Sequence, residues 1–438
     1  MPLERFYSIP AAERSRVLAD EIAVQHRYHF ERNVAYRRTL SARGVGHVIT
    51  QDDLPRLLRP AAVTFKSYVD HVGHFPQDHP AAFLDWLGDQ LSIALPEDRR
   101  PLIRRRYRTV EGLLCDIERA YSDLGIEIVS STGTSGQPSF VVRDAATIDI
   151  AIRSFFLAIQ RSWGLQRGAT LVFMMPRETR VAMARVARVG ARHMNWAAEG
   201  SVHYTMPFSA TPDRLRIRAG RRFRPGIEGL VERRLIHPFM WWANDHLARP
   251  KYVRHTIDCL NESARAGGPV LLLGGLVQLH AIAQVTSVDL PAGSRVATGG
   301  GIKERYHSTP AQVREDLRRA FAGTPVSDVY GMAEANWAAF ECPEGNYHIP
   351  PWVHAVVTDD HDRIIPGADS KGLLAFYDPL GGGALIPPFF QTADRVRLVN
   401  GSAYDPALAC PCGLDTSYIA GAIRRVDLLE EAGCAAQI

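Results

Sequence analysis

Through the middle of the chain, apolar runs of strand length alternate with segments whose apolar positions recur every three or four residues. TLVFMM (170–175), VLLLGG (270–275) and SDVYGM (327–332) read as buried strands. Ile148, Ile152, Phe155, Phe156 and Ile159 follow Asp144 at helical spacing, and Asp144 suits an N-cap. Val313, Leu317 and Phe321 share one helical face behind a Thr309-Pro310 start. This alternation predicts an α/β fold with a largely parallel sheet. Residues 1–125 read as a mainly helical lead-in packed on the body, broken at prolines in DDLPRLLRPAAVTFK and HFPQDHPAAF. The α/β body occupies 126–345 in this reading. Beyond it, WVHAVV, GLLAFYD and RVRLV between Gly/Pro turns predict a β-rich subdomain with a short tail over 346–438. In RLRIRAGRRFR (214–224) arginine alternates with Leu and Ile, the pattern of an exposed strand.

With 438 residues, 46% hydrophobic and 22% charged, the chain can bury a sizeable core and has the length of about two or three domains. A formal charge of +4 makes no demand for a nucleic-acid partner. No apolar run approaches the roughly 20 residues of a membrane span, and MPLERFYSIPAAERSR lacks the apolar stretch of a secretory signal. The expectation is a cytoplasmic protein without a membrane partner. Six cysteines are too few for a disulfide framework in a chain of this length.

Four stretches carry candidate chemistry. STGTSGQPSF (131–140), between the apolar approaches IEIV and FVV, is poor in side-chain bulk and rich in hydroxyls, as a phosphate-cradling loop requires. It matches neither a Walker A loop nor G-x-G-x-x-G, and a plain hairpin loop reads equally well. ATGGGIK (297–303) offers glycines where a flat base can approach backbone. DVYGMAEAN (328–336) supplies an aromatic residue and Glu334, a candidate magnesium ligand, and FFQTADRVRLV (389–399) places Asp394 in a turn between strands, suited to two ribose hydroxyls.

In this order the four stretches resemble the core motifs of the adenylate-forming superfamily of acyl-CoA synthetases and adenylation domains. TGGGIK, YGMAE with ECPEGNYHIPPWV after it, CPCG and the lead-in LPRLLRPAAVTFK are most similar to the acyl-protein synthetases of the LuxE type, with phenylacetate-CoA ligases as neighbours. The resemblance implies the large-domain fold of those enzymes: two α/β subdomains and a small β-rich subdomain, without the mobile C-terminal domain. It also implies roles. Ser131, Thr132, Gly133, Thr134, Ser135 and Gly136 would wrap the phosphates of ATP, with Gly299, Gly300 and Gly301 flanking adenine and Tyr330 stacking on it. Glu334 would bind Mg2+, Asp394 would hold the ribose, and Arg425 is the match to a hinge-side arginine. The implied reaction joins a small carboxylic acid to ATP, giving an acyl-adenylate and pyrophosphate, before acyl transfer to a thiol or amine.

The sequence departs from the family where Gln137-Pro138-Ser139 replace a loop lysine and where Ala393 replaces a glycine. Only eleven residues follow Asp427, so a CoA ligase of the phenylacetate type is the disfavoured alternative, and a non-catalytic nucleotide-binding docking subunit is another. Acyl-protein synthetases take the acyl group on a cysteine near the C-terminus, and Cys434 in AGCAAQI is the candidate here, against the alternative that a tail cysteine is incidental. Cys342, His348, Cys410 and Cys412 form a three-thiolate, one-imidazole set of the kind a structural Zn2+ favours; separately packed, reduced cysteines are the other reading. The Arg-rich stretches 99–108 and 214–224 read either as solvated faces or as docking sites for an acidic partner, such as an acyl carrier protein or a partner enzyme. By the same resemblance the acyl group would lie near LLGGLVQLH (272–280) and Thr298, with HPFMWWAN (237–244) as candidate aromatic walls.

Overall fold

The protein is described by a computed structural model covering residues 2–133, 137–193, 200–300, 306–400 and 405–426. Its strands, in chain order, are β1 (Arg59–Pro60), β2 (Glu127–Ser130), β3 (Phe140–Arg143), β4 (Thr170–Pro176), β5 (Val202–Met206), β6 (Val270–Gly275), β7 (Arg295–Gly299) and β8 (Val326–Gly331). They continue as β9 (Ala338–Glu341), β10 (Asn346–His348), β11 (His354–Thr358), β12 (Asp369–Tyr377), β13 (Phe389–Val399), β14 (Tyr418–Ala420) and β15 (Arg424–Arg425). Thirteen of them make one sheet in the order β11-β12-β13-β14-β10-β9-β8-β7-β6-β4-β5, with β1 and β15 also on β13. From β5 to β8 the pairing is parallel, and from β8 through β9, β10, β14, β13 and β12 to β11 it is antiparallel. β2 and β3 form a separate antiparallel hairpin.

The parallel half follows from the sequence pattern. β4 and β6 are apolar over nearly their whole length because helices cover both faces of the sheet there. The helix Ala145–Trp163 lies on one face, started by a capping box in which Asp144 Oδ1 accepts the Thr147 N–H at 2.8 Å, and stopped by Gly164 at φ +66°. Its Ile152, Phe155, Phe156 and Ile159 pack with Leu171, Phe173 and Leu271. On the other face, Val313, Leu317 and Phe321 of the segment begun by helix Pro310–Ala320 pack with Val172, Val270, Leu272 and Val296. Each such fully buried side chain contributes roughly 1.5–3 kcal/mol.

The amino-terminal helices, among them Ala11–Arg32, Pro80–Asp89 and Val110–Ala120, close a third core. Phe65, Tyr68, Phe83, Trp86 and Leu113 meet Phe140 of β3 and Trp352, Phe376 and Leu398 of the antiparallel half in that core. It therefore joins the lead-in helices to the hairpin and the β-rich part. Among the described residues, no helix is long and apolar enough to cross a membrane.

Two expectations are corrected. Residues 214–224 hold no strand: Pro212–Ala219 is a helix, with Thr211 accepting the Arg214 N–H and Gly220 at φ +67° closing it. The Thr-Pro-Asp start and glycine stop outweigh the period-two alternation of arginine and apolar residues. Asp394 lies within β13, an eleven-residue strand, and not in a turn. It pairs opposite Arg425 of β15, so the strand ladder fixes its position.

Candidate functional site

Four parallel strands end at one place. The carboxyl ends of β4 (Met174, Met175), β6 (Leu273 to Gly275), β7 (Thr298, Gly299) and β8 (Asp328 to Gly331) border a cavity of about 680 Å³. Crevices at the carboxyl ends of parallel strands are where open α/β sheets bind ligands, and the volume suits a ligand of nucleotide size. Ser131, Thr132, Gly299, Gly300, Tyr330, Asp394 and Arg425 all line it. Gly133 and Glu334 adjoin it in sequence, after Thr132 and Ala333 of its wall. Thr134, Ser135, Gly136, Gly301 and Cys434 lie outside the described residues.

Ser131 and Ser139, on either side of the segment after β2, are hydrogen-bonded to each other. The Ser131 N–H donates to the Ser139 carbonyl at 3.1 Å, and the Ser139 N–H donates to Ser131 Oγ at 2.9 Å. Gly133 has φ +60°, and a Cβ there would sit 3.1 Å from the Pro138 nitrogen, so only glycine suits this turn. The Ser139 hydroxyl donates to Glu334 Oε1 at 2.5 Å. The second Glu334 oxygen has no hydrogen bond among the described residues, and a carboxylate so placed beside a hydroxyl-rich loop fits a hard divalent cation.

Glu334 is held from behind by Arg143 at the end of β3. This buried guanidinium donates to the Ala333 carbonyl at 3.0 Å and the Ala335 carbonyl at 3.4 Å, on either side of Glu334. Burial lowers the Arg143 pKa to about 10 and raises that of neighbouring Asp378 to about 7. The Asn336 amide completes the clamp, donating to the carbonyls of Thr147 and Gly381.

Across the cavity, the Tyr330 hydroxyl donates to Asp394 Oδ2 at 2.8 Å, and Arg425 Nη1 stands 3.9 Å from Asp394 Oδ1. The sequence reading gave Asp328 no role, yet its carboxylate lies on the cavity floor. Thr298 Oγ1 donates to its Oδ1 at 2.7 Å, the Tyr347 hydroxyl to its Oδ2 at 2.9 Å, and Arg314 lies 3.3 Å away. Burial raises the Asp328 pKa, against these donors. A charged residue inside the apolar run SDVYG was the available signal, and its partners are distant in sequence.

Of the residues expected around the acyl group, Leu273, Gly274, Gly275, Gln278 and Thr298 line the cavity. Phe155, Met174, Met175, Met183 and Met332 make the rest of this wall apolar. HPFMWWAN does not contribute: its helix His237–Ala243 lies on the surface, with Phe239 61% and Trp242 49% exposed. These aromatic residues belong to a helical run that continues from Gly226–Val231 through Glu232–Ile236, and none of them lines the cavity.

The cysteine-histidine set converges behind β13. Cys342 follows β9, His348 ends β10, and Cys410 and Cys412 lie in the turn before β14. Their ligand atoms all lie within 4.8 Å of one another. The Cys342 and Cys410 sulfurs are 3.8 Å apart, and Cys412 Sγ is 3.2 Å from His348 Nε2. Tetrahedral bonds of about 2.3 Å place zinc-bound sulfurs about 3.8 Å apart, so the donors fit that ion. Thr416 Oγ1 lies 2.8 Å from His348 Nδ1, which leaves Nε2 turned toward the Cys412 thiol and is the outer hydrogen bond that would orient a metal-binding imidazole. Burial raises the Cys412 pKa to about 12 and lowers that of His348 to about 4.

No protein-family model matches the chain, and no curated protein matches it in sequence. Solved structures do resemble it. The open conformation of 2-hydroxyisobutyryl-CoA ligase in complex with 2-HIB-AMP and CoA superimposes with a TM-score of 0.53 at 15% identity, covering 97% of this chain and 72% of that one. The same ligase in the postadenylation state, with R3-HIB-AMP, gives 0.53 at 14% identity over 97% and 70%. At such identities the likeness is one of fold. The chain has a mixed α/β fold like that of this CoA ligase, with its cavity at the carboxyl ends of the parallel strands.

Proposed function

We propose that the protein activates a small carboxylic acid with ATP and Mg2+, forming an acyl-adenylate and pyrophosphate, and passes the acyl group to a thiol or amine acceptor in the manner of an acyl-protein synthetase. The observation that carries this reading is the meeting of Ser131, Thr132, Gly299, Gly300, Tyr330, Asp394 and Arg425 around one cavity, with Glu334 adjoining. The fold shared with a ligase whose complexes hold 2-HIB-AMP supports it.

In the proposed reaction a carboxylate oxygen attacks the α-phosphorus of ATP. A new P–O bond forms as the bond to the β,γ-diphosphate breaks, and pyrophosphate leaves. The protein's task is to align two anions and offset their repulsion. Ser131, Thr132 and the backbone of the 131–139 loop hold the phosphates, Asp394 accepts the ribose hydroxyls, and the glycines at the end of β7 let adenine lie against backbone beside Tyr330 and Asp328. Magnesium, when bound, supplies positive charge to the phosphates, and Glu334 is the residue that would hold it. The apolar wall of Phe155 and the methionines takes the acyl chain. Activity rests on exchange of labelled pyrophosphate into ATP, dependent on an added acid.

CoA belongs in the acceptor panel, because the similar ligase binds it. A carrier-protein thiol and Cys434 of this chain belong there too. Label retained on denatured protein and lost in Cys434→Ser identifies the tail as acceptor. A second reading, nucleotide binding without catalysis, is favoured by Gln137 and Ser139 in place of a loop lysine. Saturable ATP binding with no exchange for any acid supports it.

We also propose that Cys342, His348, Cys410 and Cys412 hold one structural Zn2+. It would pin β10 and β14 beside β13 and so steady Asp394. Metal analysis of protein purified without chelators tests this, expecting one zinc per chain.

A further inference from the structure

The surface segment before helix Arg249–Ala266 is unlike the rest of the molecule. Sixteen large apolar side chains stand exposed among the described residues, and nine of them fall within 227–247. Ile227 is 82% exposed, Leu235 64%, Phe239 61%, Leu230 57% and Trp242 49%. Soluble proteins rarely expose so many large apolar side chains in one short stretch without a use for them. The segment is a continuous helical run, interrupted by π turns at Glu232–Ile236 and Asn244–Ala248. It is firmly anchored underneath. Arg216 Nη1 and Nη2 grip the two Glu232 oxygens at 2.9 and 2.6 Å in a buried pair, and Arg224 joins Asp78 at 2.8 Å. The apolar ridge is thus presented by a fixed scaffold.

Its electrostatics restrict what can cover it. Between residues 212 and 254 the four carboxylates are all committed within the protein: Asp213 to the Val110 and Glu111 N–H groups, Glu228 to Arg224, Glu232 to Arg216 and Asp245 to Arg249. Exposed Arg222, Arg233, Arg234, Lys251 and Arg254 have no carboxylate partner among the described residues. A second copy would set one cationic rim against another. The complementary surface is anionic and accepts a protruding apolar helix, which an acidic lipid bilayer does: aromatic and aliphatic side chains enter the headgroup boundary while arginines meet phosphates.

We propose that this ridge docks the protein on anionic membrane surfaces. The contact is peripheral, and it adds a membrane partner that the sequence pattern did not foretell. It does not depend on the catalytic reading.

The test is sedimentation of the full-length protein with phosphatidylcholine vesicles, with and without about 30 mol% phosphatidylserine. Binding is expected to the acidic vesicles, to weaken with salt, and to drop about thirtyfold in the Arg233→Glu, Arg234→Glu double variant. Phe239→Ser with Trp242→Ser should abolish it and leave pyrophosphate exchange unchanged. In the wild-type protein, tryptophan fluorescence should be quenched by bromine-labelled acyl chains, a readout that needs no variant. Absence of binding, equal binding to neutral vesicles, or a concentration-dependent dimer that the Phe239, Trp242 double variant abolishes would each overturn the proposal.

Discussion

The Tyr330 hydroxyl donates a hydrogen bond to Asp394 Oδ2 at 2.8 Å, joining residues 64 positions apart. Tyr330 ends the parallel half of the sheet and Asp394 lies in the antiparallel half, so this bond spans the candidate nucleotide site. If Asp394 holds the ribose, Asp394→Ala should raise the KM for ATP by roughly 10- to 100-fold, the scale of a lost charged hydrogen bond. The KM for the acid should change far less. Steady-state kinetics with each substrate varied in turn checks the split, and an equal rise in both would remove the ribose role.

Glu334 is set by Ser139 in front and by Arg143 behind. Glu334→Gln keeps the side chain's size and removes its charge. The expected result is at least about a hundredfold loss of pyrophosphate exchange, partly recovered at high magnesium, with the melting temperature nearly unchanged. Arg143→Met should lower both activity and stability, because the Ala333 and Ala335 carbonyls lose their buried donor.

For the cysteine-histidine set, Cys410→Ser should reduce bound zinc from one per chain to near none and lower the melting temperature. A strong chelator should act on the wild-type protein in the same direction. Nucleotide affinity should fall with it, since β14 lies between β10 and β13. Full stability in metal-free protein would contradict the structural role.

Acid stability carries a distinct signature. His29 is buried with Nδ1 2.7 Å from Ser92 Oγ, and burial together with the Arg59 charge lowers its pKa from 6.5 to about 3. Between those values the unfolded chain binds a proton that the folded protein refuses. The stabilising contribution is complete above pH 6.5 and is lost as the pH falls toward 3, at up to about 1.4 kcal/mol per pH unit. Urea unfolding between pH 7 and 4 should show a shallower slope in His29→Gln than in the wild-type protein. Parallel slopes would exclude His29 as a contributor.

Much of the parallel half was readable in the chain because its signals are local. VLLLGG became β6 without a shift of boundary, and Asp144 and Thr309 cap the expected helices. The hairpin around STGTSGQPSF was legible for the same reason. What escaped depends on distant partners. Asp394 is a strand residue because β15 pairs with it, Asp328 is a floor residue because Thr298, Arg314 and Tyr347 converge on it, and Arg143 matters through carbonyls about 190 positions away. In 212–219 a turn-and-cap signal competed with a period-two pattern, and the caps prevailed. The helix at 237–243 had the composition of a pocket wall, but its place on the surface was set by Arg216, Arg224 and their carboxylates nearby.

The central claim is that one cavity brings ATP and a carboxylic acid together for reaction. It is tested most directly by exchange of labelled pyrophosphate into ATP across a panel of acids, using wild-type and Glu334→Gln protein side by side. The expected result is magnesium-dependent exchange that requires one class of apolar carboxylic acid and is nearly lost in the variant. ATP binding without exchange for any acid, or exchange that Glu334→Gln leaves intact, would contradict it.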